Sequence, residues 1–118
     1  MTRWYIAPEL LCESNQYGKA ADMWSVGCIF AELITRKPFF RGKTPLHQLE
    51  MIIEVLGCPI GEELSFTCHS GIATKAINHA RLKARPLHRG LGRHLPSNID
   101  PDAFRLLSKM LVVKPEGR

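Results

Sequence analysis

The longest apolar stretch of the chain runs from Asp22 to Ile34, and nine of its thirteen residues are apolar. They fall on every side of a helical projection, and a helix that is apolar all round is normally buried. Asp22 and Glu32 interrupt the stretch, which is also short of the roughly 20 apolar residues a membrane span requires. It therefore predicts the central core helix of a globular domain, over residues 20–35. Three polar positions inside it, Asp22, Ser25 and Glu32, call for an explanation. Asp22 lies in the first turn, where a carboxylate gains from the macrodipole and can accept backbone N–H groups. Arg36-Lys37-Pro38 supplies cations at the helix end and a proline just beyond, a stop signal.

Two amphipathic patterns flank this element. Thr44 and Pro45 read as N-cap and first helical residue, and Leu46, Leu49, Ile52, Ile53 and Leu56 recur three and four residues apart. Gly57 closes that helix and Pro59 blocks its continuation, which gives 44–57. Asp100 and Pro101 repeat the start signal, and Phe104, Leu107, Met110 and Leu111 mark a further helix over 100–111. Near the start of the chain, Pro8 biases Ala7 away from helical geometry and suits a first helical position. Residues 1–7 thus read as extended loop, Pro8 to Cys12 as a short helix, and 13–18 as a polar connector. From 60 to 98 the pattern weakens: 73–84 is a candidate helix, and Arg85-Pro86, Arg89-Gly90 and Gly92 suggest irregular backbone. There is no strand alternation of useful length and no repeat, so the expected fold class is mainly α.

Composition narrows this picture. At 118 residues the chain suits one domain or part of one. A hydrophobic content of 45% with 23% charged residues is that of a globular protein rather than a disordered one. The net charge of +5 is unevenly placed: no acidic residue occurs between Leu64 and Ile99, against Lys75, Arg81, Lys83, Arg85, Arg89 and Arg93. A basic strip of this kind attracts phosphate or acidic peptide, or is simply a solvated insertion. Phe66 is its only aromatic residue, so no nucleic-acid partner is expected. Cys12, Cys28, Cys58 and Cys68 show no C-x-x-C pairing, and His47, His69, His79, His88 and His94 form no metal-binding pair, so no metal site is expected. Cys28, inside the apolar run, reads as a small core residue. No signal-peptide or membrane-spanning pattern is seen, which makes a reducing intracellular compartment the expectation.

An ordered set of motifs then resembles the C-terminal lobe of a eukaryotic protein kinase. Ala7-Pro8-Glu9 is similar to the A-P-E that follows the activation loop. Thirteen residues on, Asp22-Met23-Trp24-Ser25-Val26-Gly27 is similar to the family's D-x-W-S-x-G. Thr2-Arg3-Trp4-Tyr5, Pro38-Phe39-Phe40, Gly42-Lys43, His47-Gln48-Leu49 and Leu56-Gly57-Cys58-Pro59 look most like the mitogen-activated protein kinases of the CMGC group. Leu106-Leu107-Ser108-Lys109-Met110-Leu111 is similar to their later helix. On this resemblance 1–118 is a partial protein kinase domain, within a parent that would be α+β and two-lobed. Residues 1–12 would be the end of the activation segment, 20–35 the central helix and 44–57 an amphipathic helix. Residues 60–99 would be the insertion of mitogen-activated kinases, and 100–111 a late helix of the lobe.

The resemblance also implies roles. Thr2, Arg3, Trp4 and Tyr5 would be substrate-positioning, with Thr2 reaching the catalytic machinery and Arg3 holding a phosphorylated activation-loop tyrosine. Glu9 would pair with Arg118 in the interior, Asp22 would hold the catalytic loop from below, and Trp24 and Gly27 would be structural. Two departures stand out. Ile6 replaces a second arginine, and Val113-Lys114-Pro115 replaces an apolar-Asp-Pro run, which puts a local turn contact in doubt.

Phosphoryl transfer needs a glycine-rich loop, a lysine, a catalytic aspartate and metal ligands. The chain has no G-x-G-x-x-G, no V-A-I-K-like strand, no H-R-D, no D-F-G and no T-x-Y before Thr2. It is expected to be a fragment of a serine/threonine kinase, inactive alone and binding no cofactor. ATP and Mg²⁺ are implied for the full-length parent, which would phosphorylate protein Ser or Thr in the cytoplasm or nucleus. Implied partners are protein substrates, docking-motif peptides and an upstream activating kinase, with no membrane or nucleic acid. Two alternatives stay open. One is a non-catalytic interaction module from a truncated kinase, with Leu10, Leu11, Leu46, Leu49 and the basic strip as its face. The other is a fragment of a cyclin-dependent-like kinase.

Overall fold

The computed structural model describes residues 3–12, 18–56 and 90–118, together with Lys75. The described part is helical, with four α-helices joined by short turns: α1 (Pro8–Leu11), α2 (Lys19–Thr35), α3 (Pro45–Leu56) and α4 (Pro101–Met110). Three 3₁₀ turns, Arg3–Tyr5, Leu91–His94 and Pro115–Gly117, complete it. Among the described residues there is no strand, as expected of part of a kinase C-terminal lobe. No described helix is long and apolar enough to cross a membrane. The connector 13–17, the candidate helix 73–84 apart from Lys75, the insertion up to residue 89, and Cys58 and Cys68 lie outside the described residues.

α2 is the centre of the molecule, and its buried residues Ala21, Trp24, Gly27, Cys28 and Ala31 lie along one side. Trp24 stacks on Phe40 with ring centroids 5.9 Å apart, and Phe40 meets Phe39 edge-on at 4.9 Å. Gly27 is where α4 crosses α2. A Cβ there would lie 2.9 Å from the Cβ of Met110 and 3.0 Å from Leu111, so only glycine permits the approach. α3 packs Leu49, Ile52 and Ile53 into the same core, to which Leu11, Leu91, Leu95 and Leu107 also belong.

The opposite side of α2 differs from the expectation of a helix buried all round. Met23, Val26, Ile29 and Leu33 are 42%, 49%, 50% and 73% exposed. They recur three and four residues apart, so they form one stripe, and the exposed Asp22 lies at its start. The cause is geometric: a helix has room for neighbours on every side, but α4, Phe40 and the N-terminal turn all pack on one side of this one.

Local signals explain the helix ends. α4 opens on Asp100, whose Oδ1 accepts the N–H groups of Asp102 at 2.8 Å and Ala103 at 3.2 Å, with Pro101 in the first turn. Thr44 caps α3 by accepting the His47 N–H at 3.0 Å. α2 starts instead at Gly18, with no side-chain cap. It ends at Arg36, which adopts the left-handed conformation (φ 64°) and donates its N–H to the Glu32 carbonyl at 2.7 Å. The segment read as extended over 1–7 contains the tight turn Arg3–Tyr5, because its side chains are fastened from two directions.

Candidate functional site

Two of the three polar positions in α2 are directed at that turn. The Tyr5 hydroxyl donates to the Glu32 carboxylate. The Ser25 hydroxyl donates to the Tyr5 carbonyl at 2.7 Å, with the Ala21 carbonyl 3.3 Å away. The hydrogen bond to Glu32 and, secondarily, burial raise the Tyr5 pKa above its ordinary value, because the ionised phenolate would face a carboxylate. Neither polar residue is thus anomalous in an apolar helix; each serves the segment that crosses it.

The other side of the turn is fastened to α3 and the loop before it. Trp4 Nε1–H donates to the Gly42 carbonyl at 3.0 Å. Gln48 is fully buried; its Oε1 accepts the Gly42 N–H at 2.7 Å, and its Nε2 donates to the Trp4 carbonyl at 3.3 Å. Arg3 Nη1 donates to the exposed Lys43 carbonyl at 2.8 Å, while Lys43 N–H donates to His47 Nδ1 at 3.1 Å. Glycine is required at 42, since a Cβ would fall 2.5 Å from Gln48 Cα and 2.6 Å from its nitrogen.

The structure brings Glu9 and Arg118 together below this platform, 109 residues apart in sequence. Their side chains are 2% and 0% exposed. Arg118 Nη1 lies 2.6 and 2.9 Å from the two carboxylate oxygens and donates to the Ala20 carbonyl at 3.0 Å. Nε donates to the Val112 carbonyl at 2.6 Å, and Nη2 to the Val113 carbonyl at 2.9 Å. The guanidinium carbon is 5.1 Å from the Trp24 ring centroid, within cation–π range. A buried charge is tolerable under such conditions, paired and with its remaining donors on carbonyls. Trp24 Nε1 is buried and has no hydrogen-bond partner among the described residues. Burial also pushes the neighbouring Cys28 thiol up to about 12, a group that stays protonated and unreactive.

Of the residues singled out in the sequence, Arg3, Trp4 and Tyr5 converge on one clamped turn. Glu9, Arg118, Trp24 and Gly27 share the interior, Asp22 is exposed, and Thr2 lies outside the described residues. Ile6 packs against the core from a half-buried position. The altered run at 113–115 leaves the last turn without a side-chain cap at Lys114; backbone bonds from Gly117 to Lys114 (3.0 Å) and from Arg118 to Pro115 (3.3 Å) hold it. Leu11 and Leu49 are buried and Leu10 and Leu46 half-buried, because α1 and α3 pack these leucines against the core. Gln48 and Gly42 were not foreseen. A polar residue set between Leu46 and Leu49 on the apolar side of α3 was the available signal.

Comparison with known proteins decides the family. The model of the protein kinase domain matches residues 1–118. The chain belongs to the protein kinase family. Within it the chain is similar to mitogen-activated protein kinases. It is 42% identical over 124 residues to extracellular signal-regulated kinase 1 of Dictyostelium discoideum, covering 99% of this chain and 21% of that protein. It is 45% identical over 118 residues to mitogen-activated protein kinase 5 of Arabidopsis thaliana, covering all of this chain and 30% of that kinase. The solved structure of a Map kinase from Leishmania major superposes with a TM-score of 0.78 at 37% identity, over 98% of this chain and 36% of that one. The chain thus spans between a fifth and about a third of these kinases, and it is a serine/threonine, mitogen-activated-kinase-like segment of the C-terminal lobe.

Proposed function

We propose that this chain is the substrate-positioning and scaffold segment of a mitogen-activated-like kinase whose parent transfers the γ-phosphate of ATP to Ser or Thr of protein substrates in intracellular signalling. The observation that carries the reading is the turn Arg3–Tyr5, clamped by Glu32 and Ser25 on one side and by Gly42, Lys43 and Gln48 on the other. Positioning of this kind is the larger part of catalysis in phosphoryl transfer. A turn tied at both ends holds a peptide acceptor at a fixed height relative to the core helix.

The same reading gives the exposed stripe of α2 a role. Asp22, Met23, Val26, Ile29 and Leu33 form the seat for the part of the parent that carries the catalytic loop, with Asp22 accepting its backbone N–H groups. ATP and Mg²⁺ belong to that part of the parent. Among the described residues no three His, Cys, Asp or Glu side chains are grouped as a metal site would need, and no step of the transfer is assigned to this chain. The partners of the parent are protein substrates and an upstream activating kinase.

The test is to read the coding sequence upstream of Met1 and to assay the encoded full-length protein. In-frame H-R-D, D-F-G and T-x-Y motifs, with transfer of radiolabelled phosphate from ATP to a Ser/Thr peptide, support the reading. A full-length protein that contains these motifs, is phosphorylated at T-x-Y and yet transfers no phosphate would overturn it.

A further inference from the structure

Resting on that reading, we infer that Gln48 is a positioning residue for the protein substrate, setting the height of Trp4 through a closed circuit of hydrogen bonds. Three bonds make the circuit: Gln48 Oε1 accepts from Gly42 N–H at 2.7 Å, Trp4 Nε1–H donates to Gly42 O at 3.0 Å, and Gln48 Nε2 donates to Trp4 O at 3.3 Å. Both polar ends of one buried amide are thereby used, one on each of two segments some forty residues apart. The amide orientation is dictated by its partners, since Gly42 N–H can only donate and Trp4 O can only accept.

Several features mark this as more than a satisfied core polar group. Gln48 is fully buried on the apolar side of α3, where a leucine or methionine would pack without any need for partners. The loop has accommodated it by placing at position 42 the one residue type that fits, because any Cβ would strike the backbone of Gln48. The circuit also ends on Trp4, at the middle of the turn, rather than on another scaffold element. The opposite edge of that turn is fixed separately by Glu32 and Ser25. Gln48 is accordingly the strut on the α3 side. Buried networks of this type, fully satisfied, fix one geometry more sharply than apolar packing does.

The expected signature is a split between the two substrates. In the full-length kinase, Gln48→Met keeps the length and volume of the side chain but deletes both of its bonds. Trp4→Phe keeps an aromatic ring and deletes only the Nε1–H bond to Gly42. Each variant is expected to raise KM for a protein or peptide substrate roughly 2- to 10-fold, the range spanned by one neutral hydrogen bond, while KM for ATP stays at the wild-type value. The double variant is expected to be no worse than the more severe single one, because both break one circuit. Backbone hydrogen exchange across residues 3–6 should accelerate in both. A folded Gln48→Met kinase whose peptide KM is unchanged, or whose two KM values rise together, would overturn the inference. Should that variant fail to fold, Trp4→Phe decides the question by the same split. Absence of transfer by the wild-type protein would instead remove the functional reading beneath it, so the two failures are distinguishable.

Discussion

Replacing Glu9 with alanine is the sharpest test of how this lobe is held together. The perturbation leaves the Arg118 guanidinium with no counter-charge in a place where its side chain has no solvent exposure. Three carbonyls, of Ala20, Val112 and Val113, and the Trp24 ring continue to hold it, but carbonyl dipoles replace a full charge only in part. Removing one partner of a buried, hydrogen-bonded pair costs about 3–5 kcal/mol. The two bonds lost here, at 2.6 and 2.9 Å, are charge-assisted and roughly 1.5–3 kcal/mol each, which agrees with that range. The assay is denaturant unfolding of the full-length kinase alongside its turnover, and both should fall together, since Glu9 precedes α2 and fixes the end of the turn segment. Adding Arg118→Met to Glu9→Ala should recover part of the loss, because an apolar chain in that site carries no unpaired charge. A Glu9→Ala loss below about 1 kcal/mol, the level of exposed pairs, or simple additivity of the two substitutions, would refute the reasoning.

Other outcomes follow from single contacts. Gly27→Ala should destabilise by roughly 1–3 kcal/mol, since the new methyl meets Met110 Cβ at 2.9 Å and forces α2 and α4 apart; thermal melts measure it. Asp100→Ala should cost about 0.5–2 kcal/mol by uncapping α4, with little loss for Asp100→Asn or Asp100→Ser; urea midpoints distinguish them. Alkaline stability has a definite sign. The Cys28 thiol, held protonated to about 12 in the fold against 9.0 unfolded, contributes stability that is intact below pH 9.0 and falls above it, by at most about 1.4 kcal/mol per pH unit. Tyr5, also raised, acts in the same direction. Cys28→Ala should flatten the decline when midpoints are measured on both sides of pH 9.0.

Element positions were readable in the sequence wherever a local signal was strong. Pro8, Thr44-Pro45 and Asp100-Pro101 marked helix starts, and the apolar run marked α2 to within a residue. What that run could not disclose was which side packs. Its periodicity is the same on every face, and only the approach of α4 and Phe40 selects one, which left Met23, Val26, Ile29 and Leu33 outside. The turn at Arg3–Tyr5 was hidden for a related reason: it is shaped by partners at Glu32, Gly42 and Gln48, none of them nearby in sequence. Motif resemblance named the segment, but its fastening is a tertiary fact. Ser25 and Glu32 were visible as polar intruders in an apolar helix, yet their common target could be seen only once Tyr5 lay across them.

The 109-residue separation of Glu9 and Arg118 also sets a clock. At about 5–20 residues per second, a ribosome needs roughly 5–20 s to deliver the arginine after the glutamate has been made. During that interval the carboxylate cannot be buried without a partner, so α1 stays hydrated and the lobe cannot close around it. The last guanidinium to arrive is the event that allows the interior to dry. A slow or paused translation of this segment prolongs exposure of the core to chaperones and proteases, and a substitution at either end of the pair makes that exposure permanent.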